Sequence, residues 1–174
     1  MDYKDIPGWF HQHTADTLDS LIRGYGIKDV TEIGSFLGKS AVFFATRVEQ
    51  VYCIDPFVMW EEGRNNGDAM LAGEDFYDKF VENTKEYPNV QAIRHSSVTV
   101  DYIWSHNIKS DLVYIDGAHD YESVKLDIKM FTPRAKKIIC GDDYDENWPG
   151  VKQAVDEAFG DKVKLVGNFW YVIL

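Results

Sequence analysis

The chain has 174 residues, 45% hydrophobic and 14% aromatic, which is typical of one globular domain with a sizeable core. A formal net charge of −11 without a Lys/Arg stripe argues against binding to a nucleic-acid backbone. No apolar run reaches membrane-spanning length, and the start of the chain is polar and acidic. Cys53 and Cys140 lie in apolar runs and lack the spacing of a metal site, so we expect buried free thiols and a cytoplasmic protein.

The first half of the chain alternates between helix and strand patterns. We expect residues 1–8 to form an irregular segment that leads into the first helix. Apolar residues at helical spacing from Thr14 to Tyr25 predict that helix. Two short apolar runs, Asp29–Ile33 and Val51–Ile54, predict the first two strands. A glycine turn and an apolar helix lie between them. Residues 56–73 show neither the helical nor the strand period. We interpret them as a lid facing the substrate, with a disordered surface loop as the alternative.

The second half continues the alternation and ends on a hairpin. The predicted helices are Phe76–Thr84, a short one ending at Trp104, Tyr121–Phe131 and one starting at Pro149; the predicted strands are Val90–Arg94, Leu112–Ile115, Lys137–Cys140, Val163–Val166 and Phe169–Leu174. Gly167-Asn168 is a hairpin signal, so the last two strands should pair antiparallel. The pattern predicts a single α/β domain over residues 1–174, whose residues 1–28 form a lead-in and helix, with a mostly parallel sheet covered by helices on both faces.

The glycine turn from Glu32 to Ser40 follows the first strand and is the strongest motif. A dinucleotide turn requires G-x-G-x-x-G, which Ser35-Phe36-Leu37 interrupts. A phosphate loop needs four residues between its first glycine and Gly-Lys-Ser, and this chain has three. The turn fits E-x-G-x-x-x-G, which resembles the first motif of class I S-adenosylmethionine-dependent methyltransferases. An ordinary strand–helix turn is the alternative.

Carboxylates follow three further strands. Asp55 lies 21 positions after Gly34, the distance at which an acid at the second strand tip meets ribose hydroxyls in nucleotide-binding βαβ units. Asp116 ends the fourth strand, and Asp142 and Asp143 end the fifth. Since the carboxyl ends of parallel strands share one edge, these three acids can converge and hold Mg²⁺ or another hard cation. Capping of the following turns is the alternative role.

The combined motifs Asp-Gly-x-His-x-Tyr, Gly-Asp-Asp-Tyr and Trp-Pro-Gly-Val resemble the macrocin O-methyltransferase branch of class I methyltransferases, and distantly catechol O-methyltransferase. The resemblance implies a Rossmann-like seven-stranded sheet of order 3-2-1-4-5-7-6 with strand 7 antiparallel. It implies that Asp116, Asp142 and Asp143 hold a divalent cation, that Glu32 or Asp55 contacts the nucleoside, and that Ser97 lies near the adenine. His119 stands where the catechol enzymes carry a lysine base.

We therefore expect a divalent-metal-assisted O-methyltransferase of a small hydroxylated acceptor, a sugar or a phenol. The expected cofactor-binding residues are Glu32, Gly34, Ser35, Gly38, Ser40, Asp55, Ser97 and Asp116; His119 is the expected base, and Mg²⁺ the expected ion. The sequence is compatible with a homodimer. Two alternatives stay open: other metal chemistry on a methyltransferase-like fold, and a non-catalytic nucleoside-binding domain.

Overall fold

The computed structural model describes residues 2–58, 75–103 and 109–174. Most of the predicted lid, from residue 59 onward, lies outside the described residues. Helices are α1 (Gln12–Tyr25), α2 (Lys39–Ala45), α3 (Tyr77–Thr84), α4 (Ser97–Ile103), α5 (Tyr121–Phe131) and α6 (Pro149–Phe159). Strands are β1 (Asp29–Ile33), β2 (Gln50–Ile54), β3 (Val90–Ile93), β4 (Ser110–Ile115), β5 (Ala135–Gly141), β6 (Lys164–Val166) and β7 (Phe169–Ile173). Short 3₁₀ turns occupy Tyr3–Asp5, Thr132–Arg134 and Gly160–Lys162.

The seven strands form one sheet of order β3-β2-β1-β4-β5-β7-β6, which confirms the predicted order. Strands β1 to β5 pair in parallel, and β7 runs antiparallel to both β5 and β6. Register aligns the strand ends: Ile33 pairs with both Ile54 and Ile115, and Ile115 pairs with Gly141. The acids that follow these strands therefore lie along one edge of the sheet.

Burial explains the long apolar runs of the central strands. Every residue of β4 is buried, as expected of a strand covered on both faces. One core cluster packs α1 and α2 against one face of the sheet, around Leu18, Phe43 and Phe44. A second cluster packs α5 and α6 against the other face, around Ile128, Val155 and Trp170. Cys53 and Cys140 are free and buried in this interior, as predicted.

The N-terminal segment is packed more closely than its sequence suggests. Ile6 and Phe10 are buried in the first core cluster, and the Lys39 ammonium group donates a hydrogen bond to the Gly8 carbonyl over 3.0 Å. The segment is too short to show a helical period, so its two anchoring side chains carry no sequence pattern. It is thereby held at the edge of the sheet where the strands end.

Among residues 2–58, 75–103 and 109–174, none of the helices combines the length and the apolar character needed to cross a bilayer.

Candidate active site

A broad cleft of about 1400 Å³ runs along the edge where β1 to β5 end. The volume exceeds that of a typical pocket for one small molecule, so the cleft has room for a nucleoside and a second ligand. Among its lining residues are predicted cofactor, base and metal residues from five different segments: Gly34, Ser35, Ser40, Asp55, Ser97, Asp116, His119, Asp142 and Asp143.

Gly34 sits where β1 and β4 separate, and no other residue fits there. Its φ is +85°, and a Cβ at this position would lie 2.1 Å from the Asp116 carbonyl oxygen. Its amide donates to the Ile54 carbonyl, and the Asp116 amide donates to the Ile33 carbonyl, so the turn is tied to both neighbouring strands. This close approach leaves backbone, rather than side chains, facing the cleft.

Asp55 holds the glycine turn in place through its carboxylate. One oxygen, Oδ2, accepts hydrogen bonds from the Ser35 and Phe36 amides at 2.8 and 2.9 Å, and Oδ1 accepts one from the Phe57 amide. Phe36 and Phe57 both have positive φ, at 47° and 56°, so the carboxylate stabilises two strained backbone positions. Burial raises the pKa of Asp55, and these amide hydrogen bonds oppose that shift. Since a carboxylate offers about four acceptor positions, Oδ1 retains capacity for one more donor.

Glu32 lies beneath the turn and does not line the cleft. Its side chain is 0% exposed, and Oε2 accepts a 2.6 Å hydrogen bond from the Ser35 hydroxyl. Burial raises its pKa to about 7, while contacts with Ser35, Ser40 and Cys53 lower it. Glu32 therefore supports Ser35 from below, and its assignment as a nucleoside contact stays a prediction. Gly38 also lies outside the cleft wall, because a Cβ at this position would point towards Thr84 and Phe80.

Asp116, His119 and Asp143 form the tightest group of candidate ligands. Each offers one ligand atom, and these atoms lie within 4.8 Å of one another. His119 Nε2 is 3.0 Å from Asp143 Oδ2, and the ring of His119 packs at 4.3 Å from that of Trp148. Tyr114 donates a hydrogen bond to Asp116 Oδ2 over 3.0 Å. The sequence led us to expect His119 as a base beside the acids rather than as a member of the same group.

Asp142 faces the N-terminal helix. Its Oδ2 accepts a 3.2 Å hydrogen bond from the Thr14 hydroxyl of α1, and its Oδ1 accepts from the Asp143 amide. Burial raises the pKa of Asp142, and the Asp143 charge adds to that shift while His11 opposes it. The pKa of Asp116 is raised well above its usual value by burial and then by the charges of Asp142 and Asp143. The three predicted acids therefore do lie close enough to repel one another.

Several lining residues were not among the predicted site residues. Trp9 and His11 come from the N-terminal segment, where Trp9 is 64% exposed and packs on Phe36 at 5.5 Å between ring centroids. Asp127 lies on α5 in the apolar stripe with Val124 and Phe131. An acid in an apolar stripe is a signal that the sequence did offer, because such a position is usually hydrophobic.

Comparison with known proteins shows which family shares this architecture. The family model described as a methyltransferase domain matches residues 31–144, which is more than half of the chain. A search among curated proteins gave no significant match.

Three solved structures illustrate the shared fold. An O-methyltransferase from Bacillus cereus in complex with S-adenosylhomocysteine is 14% identical, with 98% of this chain and 86% of that chain covered and a TM-score of 0.65. TomG from Streptomyces achromogenes, an O-methyltransferase of tomaymycin synthesis in complex with S-adenosylmethionine, is 14% identical over 95% and 81%, with a TM-score of 0.63. CalS11, the TDP-rhamnose 3'-O-methyltransferase of calicheamicin biosynthesis, is 19% identical over 94% and 80%, with a TM-score of 0.62.

Because these identities are low, the three structures by themselves establish only the fold. The family match, in contrast, covers the glycine turn and all three acids. Together with the strand order and the motif at Glu32 to Gly38, they show that the chain belongs to the methyltransferase domain family, as a class I S-adenosylmethionine-dependent methyltransferase.

Proposed function

We propose that the protein transfers a methyl group from S-adenosylmethionine to a hydroxyl oxygen of a small acceptor, with a divalent cation at Asp116, Asp142 and Asp143. The observation that carries this proposal is the shared cleft. The glycine turn with Asp55, an acid of the ribose-binding type, lines the same cavity as Asp116, Asp142 and Asp143. Methyl transfer to a metal-bound acceptor needs both groups within one small molecule's reach.

The residues of the turn fit a nucleoside cofactor. Gly34 brings backbone to the cleft surface, and Asp55 Oδ1 has capacity left for a ribose hydroxyl. The described part of the lining contains one lysine, Lys39, whose ammonium group is engaged by Gly8, which suits a cofactor without phosphates. When bound, S-adenosylmethionine supplies the electrophilic methyl group, so the protein's task is to position the two reactants.

The acid group fits a hard divalent cation. Carboxylate oxygens from two strand ends converge, and burial, together with the charges of Asp142 and Asp143, raises the pKa of Asp116. A cation bound there would supply Lewis acidity to an acceptor hydroxyl. Asp116, Asp142 and Asp143 would hold it. The Tyr114 hydroxyl and the Thr14 hydroxyl fix the orientation of Asp116 and Asp142.

His119 is the residue placed to accept the acceptor's proton. Asp143 stands 3.0 Å from its Nε2, and Trp148 packs against its ring, so the imidazole is held at the cleft surface. A neutral imidazole has a ring nitrogen that can accept a proton, which suits general base catalysis. We therefore assign His119 the role of general base.

The acceptor side of the cleft favours an uncharged hydroxylated molecule. Trp9 and Trp148 line it with aromatic surface suited to a sugar or a phenol, and the acids would repel an anionic acceptor. TDP-rhamnose, on which CalS11 acts, shares the sugar hydroxyl but carries phosphates. We propose a sugar or phenolic hydroxyl.

Calorimetry with S-adenosylmethionine, with and without Mg²⁺, tests the proposal, followed by transfer of labelled methyl to a panel of sugars and phenols. We expect saturable cofactor binding and Mg²⁺-dependent labelling of a hydroxyl. Failure of the cofactor to bind would refute the proposal. Binding with no labelled product under any metal condition would instead favour a non-catalytic nucleoside-binding domain.

A further inference from the structure

Asp127 is a buried carboxyl in the cleft wall that the proposed chemistry does not use. It is 4% exposed and lies on α5, where Val124, Ile128 and Phe131 pack into the core. A carboxyl in such a stripe loses hydration, which costs stability unless it makes a compensating interaction. Its pKa is raised to about 6, chiefly by burial and to a smaller extent by the Asp120 charge, against the opposing effect of Ser97.

The Asp127 side chain belongs to one end of the cleft. Ser96, Ser97 and Val98 at the start of α4 line this end together with Leu126 and Asp127 of α5. Ser97 and Asp127 thus come from two different helices and line the same end of the cavity. Such a pair presents an acceptor-rich surface, because an ionised carboxylate only accepts hydrogen bonds.

The order of the strands, combined with the proposed function, puts the adenine base of the cofactor at this end of the cleft. Along the sheet edge the strand tips run from Asp142 and Asp116 through Gly34 to Asp55, and then to the segment that follows β3 and contains Ser97. The proposed function sets the sulfonium near the first acids and the ribose on Asp55. Since the base and the sulfur are attached at opposite sides of the ribose, the base must extend towards the tip of β3.

We propose that Asp127, which lines the cleft together with Ser97, recognises the exocyclic amino group of the cofactor's adenine. Adenine offers two N–H donors at its 6-position, which match a carboxylate acceptor. A base without that amino group would leave the buried carboxylate without its donor, and such a loss is strongly disfavoured. The inference rests on the proposed function, and it adds a residue that selects the base.

The test compares S-adenosylhomocysteine with its purine analogue, in which hydrogen replaces the 6-amino group, by calorimetry at pH 8. A hydrogen bond to a charged group corresponds to roughly a 10- to 150-fold difference in affinity. We expect the wild-type protein to prefer S-adenosylhomocysteine by at least about 10-fold. In Asp127→Ala the preference should fall to about 2-fold or less, because the acceptor is gone.

Asp120→Asn is the matched control. It removes one negative charge from the same cleft wall and the start of the same helix, and asparagine preserves the helix cap that Asp120 forms with the Ser123 amide. Its preference should equal that of the wild type.

A wild-type preference near unity would overturn the inference, and that measurement needs no variant that might fail to fold. A strong preference that persists in a folded Asp127→Ala protein would also overturn it, because another group would then read the base. If the wild type binds neither ligand, the proposed function fails as well; binding of both with equal affinity removes the inference alone.

Discussion

Gly34 shows how one residue can decide whether the site exists. An alanine Cβ would meet the Asp116 backbone at 2.1 Å in a left-handed conformation, so strand ends would have to move apart. We expect Gly34→Ala to lower the free energy of unfolding by about 3 kcal/mol or more and to weaken cofactor binding. Urea denaturation and calorimetry measure the two effects.

Gly24→Ala provides the control for that substitution. Gly24 lies in helix α1, and nothing lies within 4 Å of the position that an alanine Cβ would take, so alanine there should stabilise the protein by about 0.5–1 kcal/mol. Equal effects of the two substitutions would contradict the role given to the glycine turn.

Glu32 gives the protein a pH-dependent stability. Its folded pKa of about 7 exceeds the ordinary value of 4.5, so the folded state binds the proton more tightly than the unfolded chain. Its contribution is fully present below pH 4.5 and is lost as pH rises through 7. Glu32→Gln should match the wild type near pH 4.5 and exceed its stability by about 2–3 kcal/mol at pH 8. Denaturation at both pH values checks this, and a difference independent of pH would rule it out.

His119 carries the proposed proton transfer. His119→Ala should reduce methyl transfer by about 10²–10⁴-fold while cofactor affinity stays within about 2-fold, because the imidazole acts on the acceptor. Single-turnover assays and calorimetry separate the two quantities. A fall of less than about 10-fold would argue against a base. Loss of metal affinity in the same variant would show that His119 serves as a ligand, as its position beside Asp116 and Asp143 permits.

At the level of single residues, the sequence revealed positions that carry a motif and missed those that depend on packing. Gly34 and Asp55 follow from the spacing of the turn and the second strand, and both line the cleft. Thr14 and Trp9 gave no signal, because their partners Asp142 and Phe36 are distant in sequence. Glu32 fits the motif, but only the folded structure shows that its carboxyl lies under the turn.

Helix α1 acts as an element that orients the metal group from outside the sheet. Its Thr14 hydroxyl donates to Asp142 Oδ2, so the helix fixes a candidate ligand more than a hundred positions away in sequence. The short β6–β7 hairpin is held to the same helix, because His13 Nε2 lies 2.8 Å from the Asn168 side-chain oxygen. The orientation of Asp142 therefore depends on the packing of the N-terminal helix.

Thr14→Val removes that hydroxyl while preserving side-chain shape. We expect metal affinity to fall about 10-fold or more, since groups that orient ligands typically contribute this much. Thr17→Val is the control, because the Thr17 hydroxyl bonds within its own helix, to the His13 carbonyl. Titration with Mn²⁺ followed by electron paramagnetic resonance gives both affinities. Equal affinities in the two variants would contradict the coupling of α1 to the site.

Element boundaries were predictable to within a few residues wherever the apolar period was strong. The strand Asp29–Ile33 has the predicted bounds, whereas β5 runs from Ala135 to Gly141 instead of Lys137–Cys140. The added residues are the half-buried Ala135, the exposed Lys136 and the glycine Gly141, so hydrophobicity alone could not include them. The packing of residues 2–10 was not predictable either, because this segment is too short to show a helical period.

At the scale of the whole molecule, sequence periodicity indicated the parallel sheet but could not by itself indicate the order of its strands. Alternating strands and helices predict parallel pairing in general, and the placement of β7 between β5 and β6 depends on long-range contacts. The resemblance of the motifs to a known family supplied that order. The order in turn brings the glycine turn and the acids to one edge, and the proposed chemistry depends on this convergence.

The most direct test of that convergence is a crystal structure of the protein with S-adenosylhomocysteine and Mn²⁺, using the anomalous signal of the manganese. We predict manganese density at the carboxylates of Asp116, Asp142 and Asp143, and the ribose of the nucleoside on Asp55, within the same cleft. Manganese bound away from these carboxylates, or a nucleoside outside the cleft, would contradict the proposed arrangement.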